Sequence, residues 1–92
     1  MGDGAVGKPD MQIRSRIQKD IEMFEGSIKE ASTIEGTAGK RALKVIELSK
    51  MYASDSKSYL DQGDLYTSFS CISYAHGLLD AVKDIYGKER GI

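Results

Sequence analysis

Residue types that build specialised sites are scarce in this chain of 92 residues. There is one cysteine, one histidine and one proline, and tryptophan is absent. The single Cys71 cannot form an intramolecular disulfide, and one cysteine with one histidine is far short of a zinc-ligand set. The formal net charge of −1 gives no overall field that favours nucleic acid or anionic lipid. We therefore expect no metal, no cofactor and no nucleic-acid partner.

Long hydrophobic runs are also lacking. No stretch approaches the roughly 18 consecutive apolar residues of a membrane-spanning helix, and the N-terminus does not have the pattern of a signal peptide. A hydrophobic content of 40% and a charged content of 29% are ordinary for one small globular domain. These features predict a cytoplasmic protein in a reducing compartment, with no membrane partner.

The glycine-rich start "GDGAVGK" (Gly2–Lys8) fits seven positions of the phosphate-binding loop G-x-x-x-x-G-K-[ST]. In that loop a Ser or Thr hydroxyl holds Mg²⁺ and a buried strand comes before it. Here Pro9, which has no hydroxyl, occupies that position, and only Met1 precedes Gly2. We predict that this segment binds no nucleotide. Residues 1–8 are expected to form a flexible arm, and residues 9–88 a single domain.

The remaining chain has the periodicity of helices. In the first predicted helix, at about 9–32, apolar residues recur at steps of three and four and share an arc of about 80°. They are Ile13, Ile17, Ile21, Phe24, Ile28 and Ala31. A polar, glycine-containing connector follows at Ser32–Gly39. The second predicted helix then carries a broad face from Ala42 to Leu60.

A short turn, "DQGD" (Asp61–Asp64), separates the second and third predicted helices. Gly63 can adopt the left-handed conformation that ends a helix, and Asp64 can cap the N-terminus of the next one. So short a turn predicts an antiparallel hairpin. The third helix should run from Asp64 to about Tyr86, with Gly87 as its stop. The predicted fold is all-α, a three-helix up-down-up bundle.

The third helix has more apolar surface than a small bundle needs. Its apolar arc covers about 240°, whereas two neighbouring helices cover less. Such surplus usually indicates an interface, and we predict a non-catalytic module that acts by protein association, with itself as a homodimer or with a protein partner. The candidate interface residues are Tyr74, Leu78 and Ile85 on the third helix, with Leu43 and Met51 on the second.

The stretch Tyr52–Val82 resembles the archaeal domain-of-unknown-function family 357. The matching elements are "YASDSKSYL" (Tyr52–Leu60), "GD" (Gly63–Asp64) and "SYAHGLLDA" (Ser73–Ala81). The resemblance covers about two-thirds of the chain, from the second helix onward. It implies an archaeal source and a left-handed three-helix bundle similar to albumin-binding modules. It implies no activity.

The alternative function is a small enzyme, or an accessory that handles nucleotides or RNA. Its site would lie in the cleft between the second and third helices, and the candidate residues are Asp55, Tyr59, His76 and Asp80. His76 could act as a general base, but Cys71 lies about 140° away on the same helix. Inward Glu-x-x-His pairs, which bind metals in bundles, do not occur. A boundary histidine, hydrogen-bonded to Asp80 or to a neighbouring helix, is the simpler interpretation.

Overall fold

Two helices make up the described backbone: α1 spans Gly2–Gln62 and α2 spans Leu65–Gly87. The structure is a computed structural model, and it describes the side chains of residues 11–31 and 40–86. The predicted arm at residues 1–8 and the predicted connector Ser32–Gly39 lie outside these described residues. Residues 11–31 are called the first arm of α1 below, and residues 40–62 its second arm.

The two arms of α1 lie against each other. The Arg14 guanidinium (Nη1) donates a hydrogen bond of 3.1 Å to the carbonyl of Leu60, and Glu25 forms an ion pair with Lys57. A straight helix of 61 residues would be about 92 Å long, whereas the longest dimension of the molecule is 56 Å. The arms are therefore antiparallel. Together with α2 they form an all-α three-helix bundle, which confirms the predicted fold class.

The core lies along the shared axis of the two arms and α2. It is built from the faces that the helical periodicity predicts, with large aliphatic residues alternating with alanines. Its buried apolar members are Ile17, Ile21, Phe24, Ala31, Ala42, Ile46, Ala53, Leu60, Ile72, Ala75, Leu79 and Val82. Two large apolar residues, Ile13 of the predicted first-helix face and Phe69 of α2, stay 45% and 43% exposed. Both lie near the end of the bundle where α2 begins, and there fewer neighbours are available to cover them.

The turn between the second arm and α2 has the geometry that the sequence predicts. Gly63 has a φ of 84°, in the region that L-residues with a side chain rarely adopt. The Gly63 amide donates to the Leu60 carbonyl at 3.0 Å, and the Asp64 amide donates to the Tyr59 carbonyl at 2.9 Å. This pair of bonds is a Schellman motif. The Asp64 carboxylate (Oδ1) accepts a 3.1 Å bond from the Thr67 amide, so Asp64 caps α2 as predicted.

We expect Asp64→Ala to lower the free energy of unfolding by about 1 kcal/mol, because the Thr67 amide loses its acceptor. Chemical denaturation followed by circular dichroism measures this change. Asp64→Asn keeps an acceptor oxygen and should cost only a few tenths of a kcal/mol. Equal losses for the two variants would contradict the capping role.

Candidate functional site

A row of exposed apolar side chains follows the groove between the second arm and α2 on the outside of the bundle. On α2, Tyr74 and Ile85 are 51% and 61% exposed, and Leu78 between them is half-buried. On the second arm, Leu48 is 37% exposed and Tyr52 is half-buried. We call these five residues, together with the exposed Ala81, the outer patch. Three of the sequence-predicted interface residues, Tyr74, Leu78 and Ile85, belong to it.

One ring contact fixes how the two helices of the outer patch are aligned. Tyr52 and Tyr74 meet edge to face, with ring centroids 4.6 Å apart and an interplanar angle of 77°. Because the helices are antiparallel, a step toward the N-terminus of one corresponds to a step toward the C-terminus of the other. Leu48 is four residues before Tyr52, and Leu78 is four residues after Tyr74. Leu48 therefore lies level with Leu78. Leu48 is absent from the sequence-predicted set, although its position four residues before Tyr52 places it on the same side of the helix.

The two remaining interface candidates, Leu43 and Met51, lie on other sides of the second arm. Leu43 precedes Lys50 and Lys57 at steps of seven, which keep nearly the same helical phase. Lys50 and Lys57 line a depression together with residues of the first arm, so Leu43 is on the side that faces this arm. Met51 is 61% exposed and points about 180° away from the core on the helical wheel.

His76 lies on the side of α2 that packs against the first arm. Its ring nitrogen Nε2 is 2.7 Å from the carbonyl oxygen of Asp20, and its ring meets Phe24 edge to face with centroids 5.7 Å apart. A carbonyl oxygen only accepts, so Nε2 carries the proton in this contact. Of the two partners that the sequence left open, a neighbouring helix and Asp80, the structure shows the helix.

The other candidates for a cleft site lie elsewhere. Asp55 is on the outer side of the groove near Cys71, and the exposed Asp80 follows His76 by one turn of α2. Tyr59 is half-buried beside the turn, where its carbonyl accepts the Asp64 amide. His76 faces the first arm instead, so it and Asp55 lie on different sides of α2. The structure does not gather these four residues into one constellation.

Cys71 is half-buried beside acidic side chains. Burial raises the pKa of its thiol, and the negative charges of Asp55 and Asp64 raise that pKa further. Each of these effects disfavours the thiolate, which is the nucleophilic form of cysteine. The environment therefore keeps Cys71 protonated and poorly reactive near neutral pH.

A second apolar surface lies at the end of the bundle where α2 begins. It is an open groove of about 570 Å³ between the first arm and α2, lined by Gln12, Ile13, Arg16, Leu65, Tyr66 and Phe69. The groove explains why Ile13 and Phe69 remain exposed. It is on the opposite side of α2 from the outer patch, and Arg16 is the one charged residue in its lining.

The described residues lack two kinds of specialised feature. They contain no group of three or more His, Cys, Asp or Glu side chains placed to hold a metal ion. None of the helices, over the part that the structure describes, combines the length and the apolar character needed to cross a membrane.

The fold and its surfaces define a small all-α domain of three helices. The family described as "Protein of unknown function (DUF357)" matches residues 19–86, which is most of the chain, and the protein belongs to this family. The match confirms the resemblance seen in the second and third helices and extends it into the first arm. A comparison with curated proteins gave no significant match.

Proposed function

We propose that this protein is a helical module that acts by association with protein, and that the outer patch is the surface through which it associates. Tyr74, Leu78 and Ile85 form one stripe along α2, and Leu48 and Tyr52 continue it across the groove. A contiguous apolar patch of a few hundred Å² on a small protein is often a functional surface. The observation that carries the proposal is the exposure of large apolar side chains from two helices that are aligned side by side.

The chemistry of the patch fits binding rather than catalysis. It is composed of aliphatic and aromatic side chains, and tyrosine supplies much contact area at a low cost in side-chain entropy. Desolvating an apolar side chain at each position would contribute about 2 kcal/mol per residue. The loss of translational and rotational freedom on association offsets part of this gain.

The test replaces Ile85 with glutamate and uses Met51 as a matched control. Both side chains are 61% exposed, so neither change should unfold the monomer, but only Ile85 is in the outer patch. We expect Ile85→Glu to weaken association at least tenfold, because a charge would be buried in the interface, and we expect Met51→Glu to have little effect. Light scattering over a concentration series up to hundreds of micromolar measures self-association, and circular dichroism verifies the fold.

If the chain is monomeric throughout this concentration range, the same two variants are compared in their binding to a heterologous protein partner. Binding that is lost in Ile85→Glu and kept in Met51→Glu would then support the proposal. If the two variants behave alike in both assays, the outer patch is not the association surface.

A further inference from the structure

Charged residues flank the outer patch in a seven-residue pattern. Arg41, Leu48 and Asp55 follow one another at this spacing on the second arm, and seven residues bring a helix back to within about 20° of the same phase. The three side chains therefore lie in one row. Arg41 and Asp55 are exposed, and within the described part of the chain neither takes part in an ion pair. The row is basic at one end, apolar in the middle and acidic at the other.

A second row with the same centre lies on α2. Cys71, Leu78 and Ile85 are also seven residues apart, and Leu78 is level with Leu48. Counting outward from this level, Ile85 lies beside Arg41 and Cys71 lies beside Asp55. The effect of the Asp55 charge on the Cys71 thiol supports this alignment. Both rows of the outer patch thus have their midpoint at one height, and on the second arm the opposite charges of Arg41 and Asp55 lie at equal distances from it.

We propose, building on the proposed function, that the partner of the outer patch is a second copy of this chain, docked by a two-fold axis that crosses the two helices at Leu48 and Leu78. Rotation about this axis lays each helix antiparallel on its own copy. Arg41 then meets Asp55 of the second copy, and the same pair forms again at the other end. On α2, Cys71 meets Ile85 of the second copy.

The charges discriminate against the other simple arrangement. A two-fold axis parallel to the helices would place the second arm of one copy on α2 of the other at the same height. Arg41 would then lie against Ile85, and Asp55 against Cys71. Asp55 would lose water without gaining a partner, because the one basic residue in the described part of α2, Lys83, is 12 positions from Cys71. Such unpaired desolvation is costly, whereas the transverse axis pairs both charges. A closed two-fold dimer is also the commonest way to bury a self-complementary surface.

The size of the patch sets the expected affinity. Fourteen residues of helix and two helix diameters give a footprint of about 21 by 20 Å, or ~420 Å² on each copy. Stable interfaces bury about 800 Å² on each partner. We therefore expect a weak dimer, with a dissociation constant of the order of 10–100 µM.

Cross-linking tests the position of the axis. In a Cys71→Ser background, Leu48→Cys places one thiol at the axis, where it faces its own copy at a distance that a disulfide can span. We expect mild oxidation to give a covalent dimer, seen by non-reducing electrophoresis. Met51→Cys in the same background is the control, because its side chain is more exposed but lies away from the axis, and it should remain monomeric.

A charge exchange tests the pairing. Arg41→Asp and Asp55→Arg each place like charges in contact at both ends of the dimer, and each should weaken dimerisation about tenfold. The double variant restores opposite charges and should return the dissociation constant to within about threefold of the wild type. A general loss of structure could not produce this recovery. Analytical ultracentrifugation at low salt measures the dissociation constants of the two single variants and the double variant.

The outcomes separate this inference from the proposed function. If Ile85→Glu abolishes association but Leu48→Cys cross-links no better than Met51→Cys, the outer patch is an interface and the antiparallel dimer is wrong. Failure of the double variant to recover affinity would also overturn the dimer. A wild-type chain that remains monomeric at several hundred micromolar would exclude a second copy as the partner and leave heterologous association to its own test.

Discussion

Replacement of Ile72 by alanine is expected to lower the free energy of unfolding by about 2–5 kcal/mol. Ile72 is completely buried in the middle of α2, where it belongs to the core shared with both arms. The loss has two parts, the transfer energy of the deleted methyl and methylene groups and the cavity that they leave. A domain of this size has a total stability of about 5–14 kcal/mol, so this variant should lose a large fraction of its stability. Urea denaturation followed by circular dichroism measures the loss.

Ile85 provides a matched control for this change. It is the same residue type in the same helix, but it is mostly exposed. Ile85→Ala should change the free energy of unfolding by less than about 1 kcal/mol when measured at a protein concentration low enough to prevent association. Similar losses for the two variants would show that the core described for α2 is wrong.

The other large effect is expected where the second arm and α2 come together through two serines. Ser56 and Ser68 are completely buried. Each hydroxyl donates to the carbonyl of the other residue, at 2.8 Å from Ser56 and 2.7 Å from Ser68. Ser68→Leu would insert several heavy atoms into this contact and remove the donor to the Ser56 carbonyl. We expect a loss of about 3 kcal/mol or more, since overpacking alone typically costs 1–3 kcal/mol.

Two controls separate the size of the new side chain from the loss of the hydroxyl. Ser68→Ala removes the hydroxyl without adding bulk and should cost about 1 kcal/mol, the value of one hydrogen bond. Ser70→Leu adds the same bulk at an exposed position of the same helix and should stay within about 0.5 kcal/mol of the wild type. Thermal melting ranks the three variants. A Ser68→Leu protein as stable as Ser68→Ala would show that the helices are not held closely at this point.

Local features of the fold could be predicted from the sequence because few residues determine them. The turn at Gly63 and the cap at Asp64 depend on backbone conformation and on a side chain three residues from its partner. The buried faces followed from helical phase. Phase gives the direction of a side chain but not its position along the bundle axis, and for this reason the exposure of Ile13 was not foreseen.

Contacts between distant parts of the chain were harder to predict from the sequence. The bond from Arg14 to the Leu60 carbonyl joins residues 46 positions apart, and no periodicity indicates it. Ser68 was not predicted as a core residue because it is polar, although its place four residues before Ile72 puts it on the same face. The outer patch could be predicted for α2 from its wide apolar arc. Its second-arm half could not, because the side of the second arm that faces α2 is set by packing.

The Leu60 carbonyl has a consequence for the cooperativity of folding. It accepts the Gly63 amide within the turn and the Arg14 guanidinium from the first arm. The second arm and α2 are joined by so short a connection that they could form a hairpin unit by themselves, and the first arm would then open and close separately. This shared oxygen opposes the separation, because undocking the first arm breaks the bond that the Arg14 guanidinium donates to the Leu60 carbonyl in the hairpin turn. The three helices are therefore expected to unfold as one unit.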